Sequence, residues 1–199
     1  LVQDGLGNLY FSAYAETTGR ELYRFDRTQT ILVQDSNPGN PGSDPGPASL
    51  FAWRTTVYYS MDDGRNGREL WRSDGTPAGT GMVDQLGLGN GGAEDGITTE
   101  IDWEGSDPTL LYFVTDSQLY QTDGSPGGGT TTLADAAGSA AGVTCLGETM
   151  VRFGSDLLFQ GLDPGGYSDG SGINRGRELL RFDGSRFRFG FEFRPGYHD

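Results

Sequence analysis

Short apolar runs recur along an otherwise polar, glycine-rich chain: Leu9-Tyr10-Phe11, Val57-Tyr58-Tyr59, Leu111-Tyr112-Phe113 and Leu157-Leu158-Phe159. Each is followed by a second mixed segment that closes on an aspartate. Gly19-Arg20-Glu21-Leu22-Tyr23-Arg24-Phe25-Asp26 returns as Gly67-Arg68-Glu69-Leu70-Trp71-Arg72-Ser73-Asp74, in part as Gln118-Leu119-Tyr120-Gln121-Thr122-Asp123, and again as Gly176-Arg177-Glu178-Leu179-Leu180-Arg181-Phe182-Asp183. A period near fifty residues marks one supersecondary unit repeated side by side. In the second copy the pattern predicts strands over 49–53, 56–61, 68–73 and 79–86. Asp74-Gly75, Asp123-Gly124 and Asp183-Gly184 supply tight hairpin turns, because glycine takes positive φ without steric cost. No segment carries a helical period, so the fold class is all-β.

The second strand of each unit holds adjacent apolar residues, so both of its faces must be covered. Blades of a β-propeller meet that requirement. The expectation is therefore propeller-like, with four blades of up to four antiparallel strands over about 1–47, 48–96, 97–147 and 148–199 of a single repeat domain. A solenoid of stacked sheets is the alternative and a sandwich comes third. The corresponding aspartates lie 48, 49 and 60 residues apart. The variation sits in the loop between the second and third strands, where such a scaffold places partner contacts. Repeat one has only Leu1-Val2 where its first strand belongs, and the chain begins inside a repeat. An upstream segment of a longer precursor, or a neighbouring subunit, is expected to supply that strand.

The stretch Glu69-Leu70-Trp71-Arg72-Ser73-Asp74-Gly75-Thr76-Pro77-Ala78-Gly79-Thr80 resembles the signature of the ELWxxDGT repeat family. Asp35-Ser36-Asn37-Pro38-Gly39, with Gly42-Ser43 and Pro45 after it, is similar to that family's linker. The resemblance covers nearly the whole chain, although the second copy alone matches closely. The first copy lacks the glycine after Asp26, the third lacks Gly-Arg-Glu, and the fourth lacks the Gly-Thr that closes the turn. The resemblance implies an extracellular or cell-surface, propeller-like protein without an assigned activity.

Composition narrows the chemistry. The chain of 199 residues is only 34% hydrophobic but 12% aromatic, so burial leans on Tyr, Phe and Trp. Its net charge is −14 and all 14 basic residues are arginine, a surface that repels nucleic acid and anionic membranes. No apolar stretch is long enough for a membrane-spanning helix. Cys145 is the single cysteine and His198 the single histidine, the latter next to last in the chain. A disulfide framework, a Ser-His-Asp triad and a His- or Cys-based zinc site are therefore disfavoured. Two carboxylates would suffice for glycoside hydrolysis, but nothing marks one pair among 28 acidic residues.

Several residues admit two readings. Asp62 and Asp63, and Asp163 and Asp169 in the long loop 162–175, could ligate calcium, which wants several oxygen donors. Asx-turns are the favoured use of the same residues. Arg20, Arg68 and Arg177 could face a polyanion, but each precedes a glutamate, which favours structural ion pairs. Trp53, Trp71 and Trp103 could stack on sugars or pack between blades, and packing is favoured. Phe187, Phe189, Phe191 and Phe193 alternate along a last strand and share one face. They either pack on the preceding sheet or form a docking edge. The candidate binding residues are thus Trp71, Arg68 and these four phenylalanines. The functional expectation is a non-catalytic extracellular or cell-surface structural and adhesion module that mediates protein–protein assembly. It needs no cofactor, and calcium is the candidate ion. Its partners are other subunits or upstream repeats, with polysaccharide as a further candidate. A lectin-like propeller is the alternative and a glycoside-processing enzyme the third reading.

Overall fold

A computed structural model describes residues 1–39, 42–46, 49–86, 99–102, 110–115, 118–127, 129–132, 144–162, 177–184 and 187–191. The described residues contain strands and no helix. The first sheet consists of β1 (Val2–Gln3), β2 (Leu9–Ala15), β3 (Gly19–Phe25) and β4 (Thr30–Leu32). The second consists of β5 (Phe51–Trp53), β6 (Thr56–Asp62), β7 (Arg68–Ser73) and β8 (Gly81–Asp84). The third is β9 (Thr99–Asp102), β10 (Leu111–Thr115), β11 (Gln118–Thr122) and β12 (Thr130–Thr132). The fourth is β13 (Thr144–Phe153), β14 (Asp156–Leu162), β15 (Arg177–Phe182) and β16 (Phe187–Phe191). In every sheet the strand order follows the chain. The fold class is all-β, and its unit, a four-stranded antiparallel meander, is that of a propeller blade.

The Asp-Gly turns adopt the backbone expected of them, with φ of 86° at Gly75, 76° at Gly124 and 92° at Gly184. The equivalent position of the first unit is Arg27, held at φ 76°. In the second sheet the ladder starts at Phe51 rather than Ser49. The Ser49 hydroxyl instead donates to the Gly46 carbonyl and accepts from the Ser60 N–H, so this residue closes the linker and not the ladder. The fourth sheet opens at Thr144, ahead of the boundary read from the repeat. The first sheet needs no borrowed strand to reach four. Val2 pairs with Tyr10 and Gln3 with Leu9. Two residues suffice because Asp4 closes the turn behind them, its Oδ1 accepting the N–H groups of Leu6 and Asn8 at 2.9 Å each.

The chain forms two compact units, Leu1–Thr98 with Thr122–Thr130, and Thr99–Gln121 with Thr131–Asp199. In the first unit one face of the first sheet, with Tyr10, Leu22 and Val33, packs on Val57, Tyr59, Met61 and Trp71 of the second. In the second unit Tyr112 and Leu119 of the third sheet pack on Met150, Leu157, Phe159, Leu180 and Phe182 of the fourth. Both cores thus draw on adjacent residues of the second strands, facing opposite ways by the period-two rule. Tyr59 faces the first sheet and Tyr58 faces away from it, and both are buried.

Candidate functional site

The most developed polar constellation in the first unit is the joint between its two sheets, built by the linker over residues 42–46. Asp44 N–H donates to the Arg20 carbonyl on β3, Gly46 N–H to the Ser60 carbonyl on β6, and Asp62 N–H to the Ser43 carbonyl. The linker is thereby bonded to both sheets at once. Gly42 lies so close to β3 that a Cβ there would stand 2.5 Å from the Arg20 nitrogen, which leaves no space for a side chain.

Side chains of the recurring motif complete the joint. Arg68 is buried; its Nη2 reaches Asp44 Oδ2 at 3.3 Å and its Nη1 donates to the Ser60 carbonyl at 3.2 Å. Arg20 reaches the other Asp44 oxygen at 3.5 Å from a more exposed position. One aspartate therefore joins the equivalent arginines of successive units. Glu21, fully buried, accepts from the N–H of Ser43 at 2.8 Å, from the Ser43 hydroxyl and from the N–H of Ser36. Burial pushes its carboxyl above the ordinary glutamate value, and the donors from Ser43, Ser36 and Asn37 offset only part of that. Glu69 repeats the device one unit on, accepting the Leu86 N–H at 2.6 Å. The arginines thus form the expected ion pairs, whereas the glutamates hold backbone N–H groups of the linkers.

A second joint element uses the turns. A Cβ on Gly75 would overlap the Tyr10 hydroxyl and stand 2.8 Å from Cδ of Arg24. A Cβ on Gly124 would likewise overlap the Tyr58 hydroxyl, and Arg72 Nη1 donates to the Gly124 carbonyl at 2.8 Å. Tyr10 faces Arg24 and Tyr58 faces Arg72 in the strand register. The Asp74-Gly75 and Asp123-Gly124 turns therefore each rest on a Tyr–Arg pair of the preceding sheet, and glycine is demanded there twice over, by backbone and by space. Burial, followed by the charge of Asp4, pushes the Tyr10 hydroxyl up to about 12.

The candidate residues fall as follows. Trp71, 9% exposed, belongs to the core between the first two sheets, and its indole nitrogen has no partner there. Trp53 is buried too, with the Arg54 guanidinium 4.8 Å above its ring. Asp62 ends β6, and its Oδ1 accepts the Gly64 N–H at 2.7 Å. Asp63 Oδ1 accepts the N–H groups of Arg65 and Asn66, and its Oδ2 accepts from the Asn66 amide. Partial burial opposes ionisation of Asp63, but those donors outweigh it and hold the carboxyl below its ordinary value. Both residues form Asx-turns, with donors from the loop's own backbone where a cation's charge would compete. Among the described residues no three of His, Cys, Asp and Glu gather to hold a metal. Phe187, Phe189 and Phe191 lie on β16, an edge strand, opposite Phe182, Leu180 and Leu179. Asp163, Asp169, Phe193 and Trp103 lie outside the described residues.

The sequence reading passed over Asp44 and the strand-three arginines Arg24 and Arg72. Their signal was present: Arg24, Arg72 and Arg181 stand two residues before each aspartate, Asp26, Asp74 and Asp183.

No family model and no curated protein matches the chain. Among solved structures, an α-L-arabinofuranosidase from Clostridium thermocellum is similar over 89% of this chain, with 12% identity and a TM-score of 0.35. The chain spans 62% of the length of that structure.

Proposed function

We propose that this chain is a non-catalytic structural module of the extracellular space or cell surface, and that its work is assembly with other protein. The observation that carries the reading is the use to which the recurring motif is put. Arg68, Glu21, Glu69, Gly75 and Gly124 are all engaged in joining one sheet to the next or anchoring the linkers. Motif residues spent on joints imply selection for a stack of sheets rather than for a reacting centre. The acidic, lysine-free surface and the likeness to the ELWxxDGT repeats, surface proteins by that resemblance, support the same reading.

The test is a pair of assays on the purified chain: a glycan array and a screen for release of reducing ends from polysaccharides. Neither selective glycan binding nor turnover is expected. Selective binding would replace the assembly reading with the lectin-like one, and turnover would replace it with a glycoside-processing enzyme.

A further inference from the structure

The joint between the first two sheets has a donor and an acceptor side, and the described structure leaves one of each without a cover. On the donor side of the second sheet, Val57, Tyr59, Met61 and Trp71 are buried against the first sheet. Their equivalents on the first sheet, Leu9, Phe11, Ala13 and Tyr23, are only half-buried, with the Phe11 and Tyr23 rings stacked at 6.2 Å. On the acceptor side, Tyr10, Tyr58 and Tyr112 are buried. Their equivalent on the fourth sheet is Leu158, half-buried, which pairs with Val151 on one side and Arg181 on the other and so shares a face with both. Val151 is 54% and Phe153 71% exposed, and the Arg181 side chain is 45% exposed while it pairs with Asp156 at 2.8 Å. Among the described residues the exposed large apolar side chains within strands are Tyr14 on the first sheet, on the face opposite Phe11, and Val151 and Phe153 on the fourth.

The two uncovered faces also carry matching exceptions. The first unit has Arg27 where the others have glycine, and the fourth has Leu158 where the others have tyrosine. At Gly75 and Gly124 it is the tyrosine hydroxyl that a Cβ would strike. Leucine has no hydroxyl, so the face that carries Leu158 leaves room for the Cβ of Arg27. The rest of the Arg27 side chain lies back over Gly7 of its own sheet. A consensus sheet with tyrosine would meet that Cβ, so the best-fitting cover for the first sheet is the fourth sheet of this same chain.

We propose that the chain associates head to tail, the Val151, Phe153, Leu158 and Arg181 face of one copy seating on the Leu9, Phe11 and Tyr23 face of a second copy. The Asp26-Arg27 turn rests on Leu158, and Arg181 donates to the Arg27 carbonyl as Arg72 does to that of Gly124. Such a heterologous joint builds rings or filaments rather than closed pairs. The proposal rests on the assembly reading and names its partner.

Analytical ultracentrifugation of the chain from micromolar to near-millimolar concentration should show sedimentation that rises with concentration. Leu158→Tyr restores the hydroxyl and should leave the chain monomeric throughout; adding Arg27→Gly to it should restore association. Phe153→Glu, at an exposed position, should also give monomers, which keeps the test decisive if Leu158→Tyr folds poorly. Because the two faces differ, Phe153→Glu chains mixed with Phe11→Glu chains, each monomeric alone, should form a one-to-one complex. A native chain that stays monomeric, including by closing its two faces on each other, would overturn the proposal. So would association indifferent to Leu158→Tyr and Phe153→Glu, or no recovery with Arg27→Gly. A monomeric chain that is silent in the glycan and polysaccharide assays refutes this joint alone. Selective glycan binding or turnover refutes the assembly reading whatever the sedimentation shows.

Discussion

Replacing Gly124 by alanine isolates the turn-on-tyrosine contact. The backbone there has φ 76°, and an L-residue in that region costs about 1–2 kcal/mol. The added methyl also overlaps the Tyr58 hydroxyl, and Tyr58 cannot step aside easily because it is buried between Phe51, whose ring stacks on it at 5.3 Å, and Trp53 at 6.1 Å. Overpacking of this kind costs a further ~1–3 kcal/mol. Gly124→Ala should therefore destabilise the first unit by about 2–5 kcal/mol, measured by urea unfolding with tryptophan fluorescence. In a Tyr58→Phe background the hydroxyl is gone and the nearest ring atom, Cζ, lies 3.0 Å from the new methyl. That contact is still tight but yields with a small ring shift, so the backbone cost of about 1–2 kcal/mol should dominate. The double-mutant cycle should thus show a favourable coupling of ~1–3 kcal/mol, with the tyrosine change rescuing the alanine change. Equal cost of Gly124→Ala in both backgrounds would refute the argument that this turn rests on Tyr58.

Three further expectations follow from the joint. Arg68→Ala should cost about 2–4 kcal/mol in the same unfolding assay, since it removes the buried donor that reaches both Asp44 Oδ2 and the Ser60 carbonyl, whereas Arg20→Ala should cost ~0–1 kcal/mol; the two arginine side chains are 10% and 44% exposed. Trp71→Ala should cost ~3–5 kcal/mol as a core deletion, whatever the chain binds, and loss of the native circular-dichroism melt would check it. Two carboxyls should bend the pH profile of thermal melts in opposite senses. Burial raises Glu21 above 4.5 in the folded chain, so stability falls as pH rises from that value through the raised one, and Glu21→Gln should flatten this limb. The Thr28 hydroxyl, then the N–H groups of Gln29 and Thr28, hold Asp26 at about 2, so its contribution is present above 3.8 and is lost as pH falls toward 2. Asp26→Asn should flatten that acid limb.

The repeat, the strands and the turns were legible in the residue pattern because each is settled by neighbours a few positions apart. Apolar pairs such as Tyr58-Tyr59 announced a strand covered on both faces, and Asp-Gly announced its hairpins, before any contact was known. The joints were not legible in the same way. Glu21 meets Ser43 at a separation of 22 residues and Arg72 meets Gly124 at 52, so no local window contains both partners. The sequence could say that an arginine and a glutamate alternate, and hence face opposite sides. Packing decided that Arg68 finds the linker Asp44 and that Glu21 finds backbone N–H groups left over by the linker. It likewise turned Trp71 into core. Local chemistry selects the element, because turn and ladder geometry are satisfied within it. The use of an outward-facing side chain is set by whichever surface folding brings against it, since burial and a partner for its polar atoms arrive only with that surface.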